Sequence, residues 1–490
     1  MDLDPLLLSR IQFAFVITFH IIFPAFTIGL AAWLAVIEAM SMATKKPIYR
    51  RIFDFWRKIF AVSFGMGVVS GIVMAFQFGT NWSVLSERTG AIQGPLLGYE
   101  AFTAFILEAT FFGVLMFGRT RVPPAFYLLS CVMVAFGTTL SSFWIMANNS
   151  WMQVPVGYEI IDDKIIPVDW VAIMGSYVFH IRWVHMILAA YLTTATVVAA
   201  TGAWYLLRGV YEAEGRLQLR WGLALMAAVI PVQLLFGHLN GEYTEKYQPA
   251  KFTAIEGRWQ TEQPARLILF AWPDPQNERN LFEIGIPKLG SFFDDGTLTA
   301  EEPGIVTIAP EDRPPLAIPF FGFRIMVGMG VVMLLIGWGG VLLWATGRLY
   351  RSTWFLVGTF LSFPTGFVAV VAGWYTAEVG RQPWVVYGLL RTADAHTPSI
   401  TGSEVLTSLL IYAVVYVCVF SFGIYYIYHL LREGPEDVTV EDIPNATGNR
   451  PLAGAGDAES ATGSGEDIAR AGPAGAAAQS FVGAAGPAKE

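Results

Sequence analysis

The sequence predicts an all-α polytopic membrane protein with nine transmembrane helices. Three observations predict it. Apolar residues make up 54% of the 490-residue chain. Charged residues are only 14%, against about 25% in an average soluble domain. The apolar residues also fall in blocks of about 18 or more, enough to cross the hydrocarbon core as helices.

The spans read, in order, as 14–37, 58–80, 97–117, 124–146, 175–207, 218–236, 319–346, 354–376 and 404–431. Each is a predominantly apolar run. An odd number of spans puts the termini on opposite sides, and basic residues mark the inner side. The first connection carries Lys45, Lys46, Arg50, Arg51, Arg57 and Lys58. The third has Arg119 and Arg121, the fifth Arg208, Arg216 and Arg220, and the seventh Arg348 and Arg351. The short second and fourth connections are basic-poor or acidic. The N-terminus is thus expected outside and the C-terminus inside. No basic region precedes the first apolar stretch, so that span is expected to remain in the mature protein.

Four regions follow: spans one to six (1–236), a long outer loop (237–318), spans seven to nine (319–433) and an inner tail (434–490). A loop of that length is usually functional or disordered. The tail is Gly/Ala/Pro/Glu-rich and is expected to be disordered. It holds nine acids and three bases, so −6 of the formal net charge of −8 belongs to it. The acidity therefore says little about a substrate, and nothing basic points to nucleic acid. Cys131 and Cys418 both fall inside spans, where they read as small apolar packing residues.

The polar residues inside the membrane are the informative ones. His20 lies about two turns into span one from the outer end. His180, Arg182 and His185 lie near the outer end of span five, Arg324 and Met326 near that of span seven, and Glu100 at that of span three. Glu378 and Arg381 sit just past span eight. Five helices thus contribute to one layer near the outer face. Any one of these residues could be a satisfied helix-end group, but ionisable side chains at depth cost several kcal/mol unless paired or coordinated. Haem chemistry uses this set: His and Met as axial ligands, Arg for propionates, and aromatics, 14% of this chain, against the porphyrin faces. The chain has six histidines in all, too few for a haem–copper centre, and mixed His/Met/Glu ligation is left.

Four stretches carry a family resemblance: SRIQFAFVITFHIIFPAFTIGL (9–30), GYEAFTAFILEATFFG (98–113), FRIMVG (323–328) and GWYTAEVGRQPW (373–384). They resemble subunit I of cytochrome bd quinol oxidase, over nearly everything from residue 1 to about 432. The resemblance implies two b haems and one d haem, the third site being d or b. His20 and Glu378 resemble the ligands of the two active-site haems, and which serves which is left open. His185 and Met326 resemble the ligands of the low-spin haem. His180 is the rival to His185, but five residues turn a helix about 140°, so the two do not share a face. Arg324 would hold a propionate, and Arg381 and Trp374 would pack at the active-site pair. Glu100 and Glu108 resemble the acidic pair of a proton route. Eight residues place them about 12 Å and 80° apart, and Thr138, Thr139, Ser141 and Ser142 could extend the path.

The outer loop resembles the quinol loop, in its short form found in the cyanide-insensitive branch. In KFTAIEGRW (251–259), Lys251 and Glu256 match the pair that binds and deprotonates quinol. By pattern alone they would lie on an ordinary surface helix. The implied enzyme oxidises ubiquinol or menaquinol at the outer face and reduces O2 to water with inner protons. Its implied setting is the bacterial inner membrane, with a second membrane subunit and sometimes a small single-span one. Two rivals remain at this point: a cofactor-free secondary transporter, whose usual sign is paired broken helices, and a haem protein that only shuttles electrons.

Overall fold

The computed structural model describes residues 3–436. Among them, nine helices are long and apolar enough to cross a membrane. They are Pro5–Thr44, Pro47–Thr80, Ser83–Phe117, Pro124–Gln153, Trp170–Arg208, Glu212–Tyr247, Ala317–Ala345, Thr353–Val379 and Gly402–Glu433, called spans one to nine. The fold class is as the composition predicts. The expectation of a disordered tail falls on residues 437–490, outside the described residues.

Local chemistry starts and stops these helices. Pro5, Pro47 and Pro124 take the first helical turn, where a missing N–H costs nothing. The Asp4 carboxylate caps span one by accepting from the Leu6 N–H at 2.9 Å. Thr401 and Glu404 close a capping box on span nine, which satisfies two orphan N–H groups. Gly209 ends span five in the left-handed region at φ 65°, where glycine carries no Cβ penalty.

Three spans depart from a straight helix. Span three makes a wider turn at Glu100–Phe105, where the Ile106 N–H reaches back to the Ala101 carbonyl. Span eight breaks at Ser362–Pro364 into Thr353–Leu361 and Thr365–Val379, because Pro364 cannot donate to the ladder. Span six continues to Tyr247, well past the end of its apolar run, with His238 and Glu242 paired at 3.4 Å on its polar extension.

Spans five and six approach each other closely through glycine. A Cβ at Gly202 would lie 2.5 Å from the Leu219 nitrogen, and one at Gly222 2.8 Å from the Ala195 carbonyl oxygen. The inner half of the bundle is filled by Phe26, Trp33, Phe53, Trp56, Tyr127 and Tyr205, among others. Large apolar side chains such as Phe76, Phe102, Leu335 and Phe422 point outward, as lipid or a neighbouring helix requires.

The outer connections add three small antiparallel hairpins that the hydropathy pattern does not disclose: Tyr158–Ile161 with Lys164–Pro167, Leu267–Asp274 with Arg279–Ile286, and Trp384–Val386 with Leu390–Arg391. The long loop is ordered. Its first helix, Pro249–Glu256, is buried from Ala250 to Glu256, and Ala254, Trp259, Ile305 and Leu316 form a small core beside it.

Gly202→Val should destabilise the bundle by about 1–3 kcal/mol, the usual cost of overpacking, because a backbone atom leaves the new side chain no room. The readout is the thermal unfolding midpoint of the purified protein in detergent. An unshifted midpoint would show that spans five and six can part at no cost.

Candidate functional site

Glu378 ends span eight inside a buried network. Its Oε1 accepts from Asn149 Nδ2 and from Gln153 Nε2, both at 3.0 Å, and its Oε2 accepts from Arg381. Asn149 and Gln153 are four residues apart at the outer end of span four, hence on one face. Gln153 works in two directions, because its Oε1 accepts from Lys251 Nζ at 2.5 Å. Lys251 also donates to Gln248 at 2.6 Å. Arg182 donates to Asn149 Oδ1 at 2.6 Å and to Ser150 Oγ at 2.9 Å.

Three cations therefore surround one carboxylate in a dry site, at relative exposures of 8% for Arg182, 2% for Lys251 and 4% for Arg381. Burial pushes the Lys251 ammonium well below its usual range, Arg182 pushes the same way, and Glu378 opposes. Burial likewise lowers Arg381 against the pull of Glu378. Arg381 also keeps Nε and Nη1 buried without a hydrogen-bond partner. Excess buried positive charge with idle donors is a setting for an anionic group.

The other candidate ligands each stand against a glycine on a neighbouring span. A Cβ at Gly71 would lie 3.0 Å from His20 Cε1, one at Gly237 3.6 Å from His185 Cε1, and one at Gly373 2.9 Å from Met326 Sδ. His20 Nδ1 is 3.0 Å from Ser70 Oγ. That hydroxyl donates to the Met66 carbonyl at 2.9 Å, so it accepts from His20 and leaves the Nε2 lone pair free. His185 has Nε2 3.3 Å from Gln233 Nε2, and its Nδ1 is buried without a partner. His180 instead places Nδ1 2.8 Å from its own span's Ser176 carbonyl and is exposed, which leaves His185 as the inward histidine.

These residues fit haem as a donor set. An imidazole held through Nδ1, a second with a buried orphan nitrogen, and a thioether each pack against a glycine of a neighbouring span. Of the roughly four lone-pair sites on a carboxylate, Glu378 uses three and keeps one on Oε2. Trp374 packs on span one through Phe13, with ring centroids 6.4 Å apart. Arg324 behaves differently from the expected propionate clamp. All five of its N–H donors go to backbone carbonyls: Ile268 twice, Ile255, Glu256 and Phe320. In this structure it ties the long loop to span seven, and beside Glu378 it is Arg381 that keeps idle guanidinium donors.

The acidic pair of span three is brought onto one face. Ser141 Oγ donates to Glu100 Oε1 at 2.8 Å. Glu108 lies against Gly137, where a Cβ would meet its Cγ at 2.6 Å. Gly137 and Ser141 are one turn apart on span four, so both carboxyls face the same stripe. The wider turn at Glu100–Phe105 removes much of the 80° offset expected of a regular helix. Of the four candidate hydroxyls, Thr138, Thr139, Ser141 and Ser142, only Ser141 reaches a glutamate. Thr138 and Thr139 donate to the Ala135 carbonyl, and Ser142 to that of Thr139.

Lys251 and Glu256 are not brought together. They are five residues apart on one helix, so they point about 140° apart. Lys251 joins the Glu378 network, whereas Glu256 faces Arg258, 3.6 Å away. Asn149, Gln153 and Gln248 carry no signal of their own as neutral amides. The polar run NNSWMQ (148–153) at the end of an apolar span is the one hint the sequence offers.

The family model of cytochrome bd terminal oxidase subunit I matches residues 8–435. The chain is 34% identical over 461 residues to cytochrome bd ubiquinol oxidase subunit 1 of Bacillus subtilis (strain 168), covering 91% of this chain and 97% of that one. It is 32% identical over 506 residues to cytochrome bd-II ubiquinol oxidase subunit 1 of Escherichia coli (strain K12), covering 89% and 98%. In three dimensions it is similar to the bd oxidase of Geobacillus thermodenitrificans, with a TM-score of 0.81 at 27% identity, over 89% of this chain and all of that one.

Gln153→Leu should cost about 1.5–3 kcal/mol, since it strips hydrogen bonds from two buried charged groups at once. A fall in the unfolding midpoint of the purified protein checks this. Gly137→Val should displace Glu108 and slow proton-coupled turnover while leaving Glu100 on Ser141. Normal turnover in that variant would show that Glu108 does not need its present place.

Proposed function

This chain belongs to the cytochrome bd terminal oxidase subunit I family, and on that premise we propose how its residues divide the work of a terminal quinol oxidase. The enzyme class is that of the family: quinol is oxidised and O2 reduced, in a multi-pass membrane complex that includes a second subunit. A cofactor-free transporter has no place in that class.

The finer reading is as follows. The low-spin haem is held by His185 and Met326, and the two active-site haems by His20 and Glu378, the third haem being of d or b type. When bound, haem supplies the one-electron steps and the place where O2 is reduced. Arg381, with its idle Nε and Nη1, would hold propionate carboxylates, and Arg182 and Lys251 would add positive charge around them. Trp374 and Phe13 give the site a flat apolar wall. Ser70 fixes the His20 ring, and Gln153 holds Glu378 and Lys251 in register.

Quinol, ubiquinol or menaquinol, docks at the long outer loop, where Glu256 accepts a hydroxyl proton. Lys251 holds the loop helix against the Glu378 network. Glu108 and Glu100 move inner-side protons along span four's Gly137/Ser141 stripe toward the outer half of the membrane. The N-terminus is outside and the C-terminus inside, in a bacterial inner membrane, with subunit II and in some assemblies a small single-span chain as partners. Inner protons consumed and outer protons released then separate charge without a pump.

One observation supports this reading: donors from spans one, five, seven and eight each lie against a glycine of a neighbouring span or keep a lone pair to spare. Met326→Leu tests it. The low-spin band should vanish from the reduced-minus-oxidised spectrum, and an unchanged spectrum would remove Met326 from the ligand set. Glu108→Leu should leave the haem spectrum intact and slow O2 reduction by about 10²–10⁴, the range for loss of a positioned proton-transfer group. Full turnover would place the proton route elsewhere.

A further inference from the structure

The long loop holds a second buried charge cluster that the reading above does not use. Arg258 is 1% exposed and bonds Asp294. Its Nη1 is 3.5 Å from Glu302 Oε2, and its Nη2 is 3.6 Å from Glu256 Oε2. Glu256 is 6% exposed and Glu302 2%. Glu256 Oε2 and the Arg258 Nε and Nη1 make no hydrogen bond. Three carboxylates thus share one guanidinium in a site closed to water.

Such a cluster cannot hold three full negative charges against one positive charge, so it stores protons. Burial raises Glu256, and the charge of Asp294 raises it further, while Arg258 and Arg324 pull it down. Burial also raises Asp294, against Arg258 and against His238 on the extension of span six. Glu302 is pushed up to about 7 by burial and by Asp294, with Glu245 and Asp295 adding to the rise and Arg258 opposing it. Exposed Asp295 and, on span six, Glu245 and the exposed His238 lie close enough to act on Asp294 or Glu302.

We propose that Asp294 and Glu302, positioned by Arg258, are the outward relay that carries the quinol's protons from Glu256 to solvent. The proposal rests on the reading of Glu256 as the group that accepts the quinol proton. Oxidation of a quinol to a quinone breaks two O–H bonds and releases two electrons and two protons. The electrons go to O2, the oxidant of the oxidase reaction. Each proton moves from the quinol oxygen to a Glu256 carboxylate oxygen, then to Asp294 or Glu302, and then to water. Arg258 carries no proton. It holds the carboxylates within reach of one another and limits how many are neutral at a time.

The test uses the assembled oxidase with a water-soluble short-chain quinol, comparing E256Q, D294N, E302Q and the D294N/E302Q pair after matching haem content. The pair should lose about ten- to a hundredfold in kcat, as removal of proton-transfer groups does, with KM held within about twofold. Rising imidazole buffer should restore part of the rate, because a small base can collect the proton that the relay no longer takes. The infrared difference spectrum on quinol addition should also lose a protonated-carboxyl band. Wild-type kcat in the pair, with E256Q inactive, overturns the relay and leaves the quinol site standing. A raised KM with no buffer response also overturns it, since the carboxylates would then only hold the loop. Wild-type kinetics in E256Q would instead remove the quinol-site reading, and the relay with it.

Discussion

The constraint on which the rest depends is the burial of the Glu378 carboxylate among three cations. An ionised carboxylate in a dry interior is tolerable only with its lone pairs filled and its charge balanced. Arg381, Asn149 and Gln153 fill three of them, and those partners come from the ends of two different spans. Gln153 then passes the constraint to Lys251 on the loop helix. The outer ends of spans four, five and eight and the start of the long loop are thereby fixed to one another by a single charge. The buried Arg381 donors that have no partner leave the site set for an anionic group.

That cluster also explains why the molecule is asymmetric across the membrane. The end of the bundle nearest the first connection is packed with aromatic and aliphatic side chains, and the candidate ligands and the Glu378 network lie toward the other end. Under the proposed topology, chemistry placed there draws inner-side protons across most of the bilayer. The departure of span three from regular helix meets that need. The wider turn at Glu100–Phe105 aligns two carboxyls on one stripe of span four, and Gly137 leaves the room for Glu108 that any larger residue would fill. A π-type turn at such a place is a familiar mark of a functional segment.

How much of this was legible in the sequence follows from which forces are local. Transfer of a helix into hydrocarbon depends on its own composition, so all nine spans among the described residues could be read from hydropathy. Pairing is not local. Nothing in KFTAIEGRW says that Lys251 and Glu256 turn to opposite neighbours, although the five-residue spacing already forbids a shared face. The amides Asn149 and Gln153 carry no charge to draw attention, yet they hold the Glu378 carboxylate. Arg324 looked like a propionate clamp because its neighbour Met326 looked like a ligand. Four of its five donors are instead taken by loop carbonyls that no hydropathy profile could place beside it. The three hairpins escaped for a similar reason, since their strands are at most eight residues and their partners are held by the scaffold.

The loop helix Pro249–Glu256 then takes on a meaning neither half of it has alone. Its Lys251 face is locked into the net-positive cluster at Glu378, and its C-terminal carbonyls, Ile255 and Glu256, are gripped by Arg324 two residues from Met326. Its Glu256 side chain faces away, into an acidic cluster that leads toward solvent. A substrate that loses electrons and protons together needs two exits that do not cross. Electrons must go toward metal centres in a low-dielectric interior, where positive surroundings favour their arrival. Protons must go toward carboxylates that can be neutralised and emptied. A rigid helix with a cationic face inward and an acidic face outward separates the two by about 140° of rotation, and buried contacts on both sides keep it from turning. On the proposed reading of the loop helix, the divergence of Lys251 and Glu256 separates the two products of quinol oxidation rather than marking a pair that has come apart.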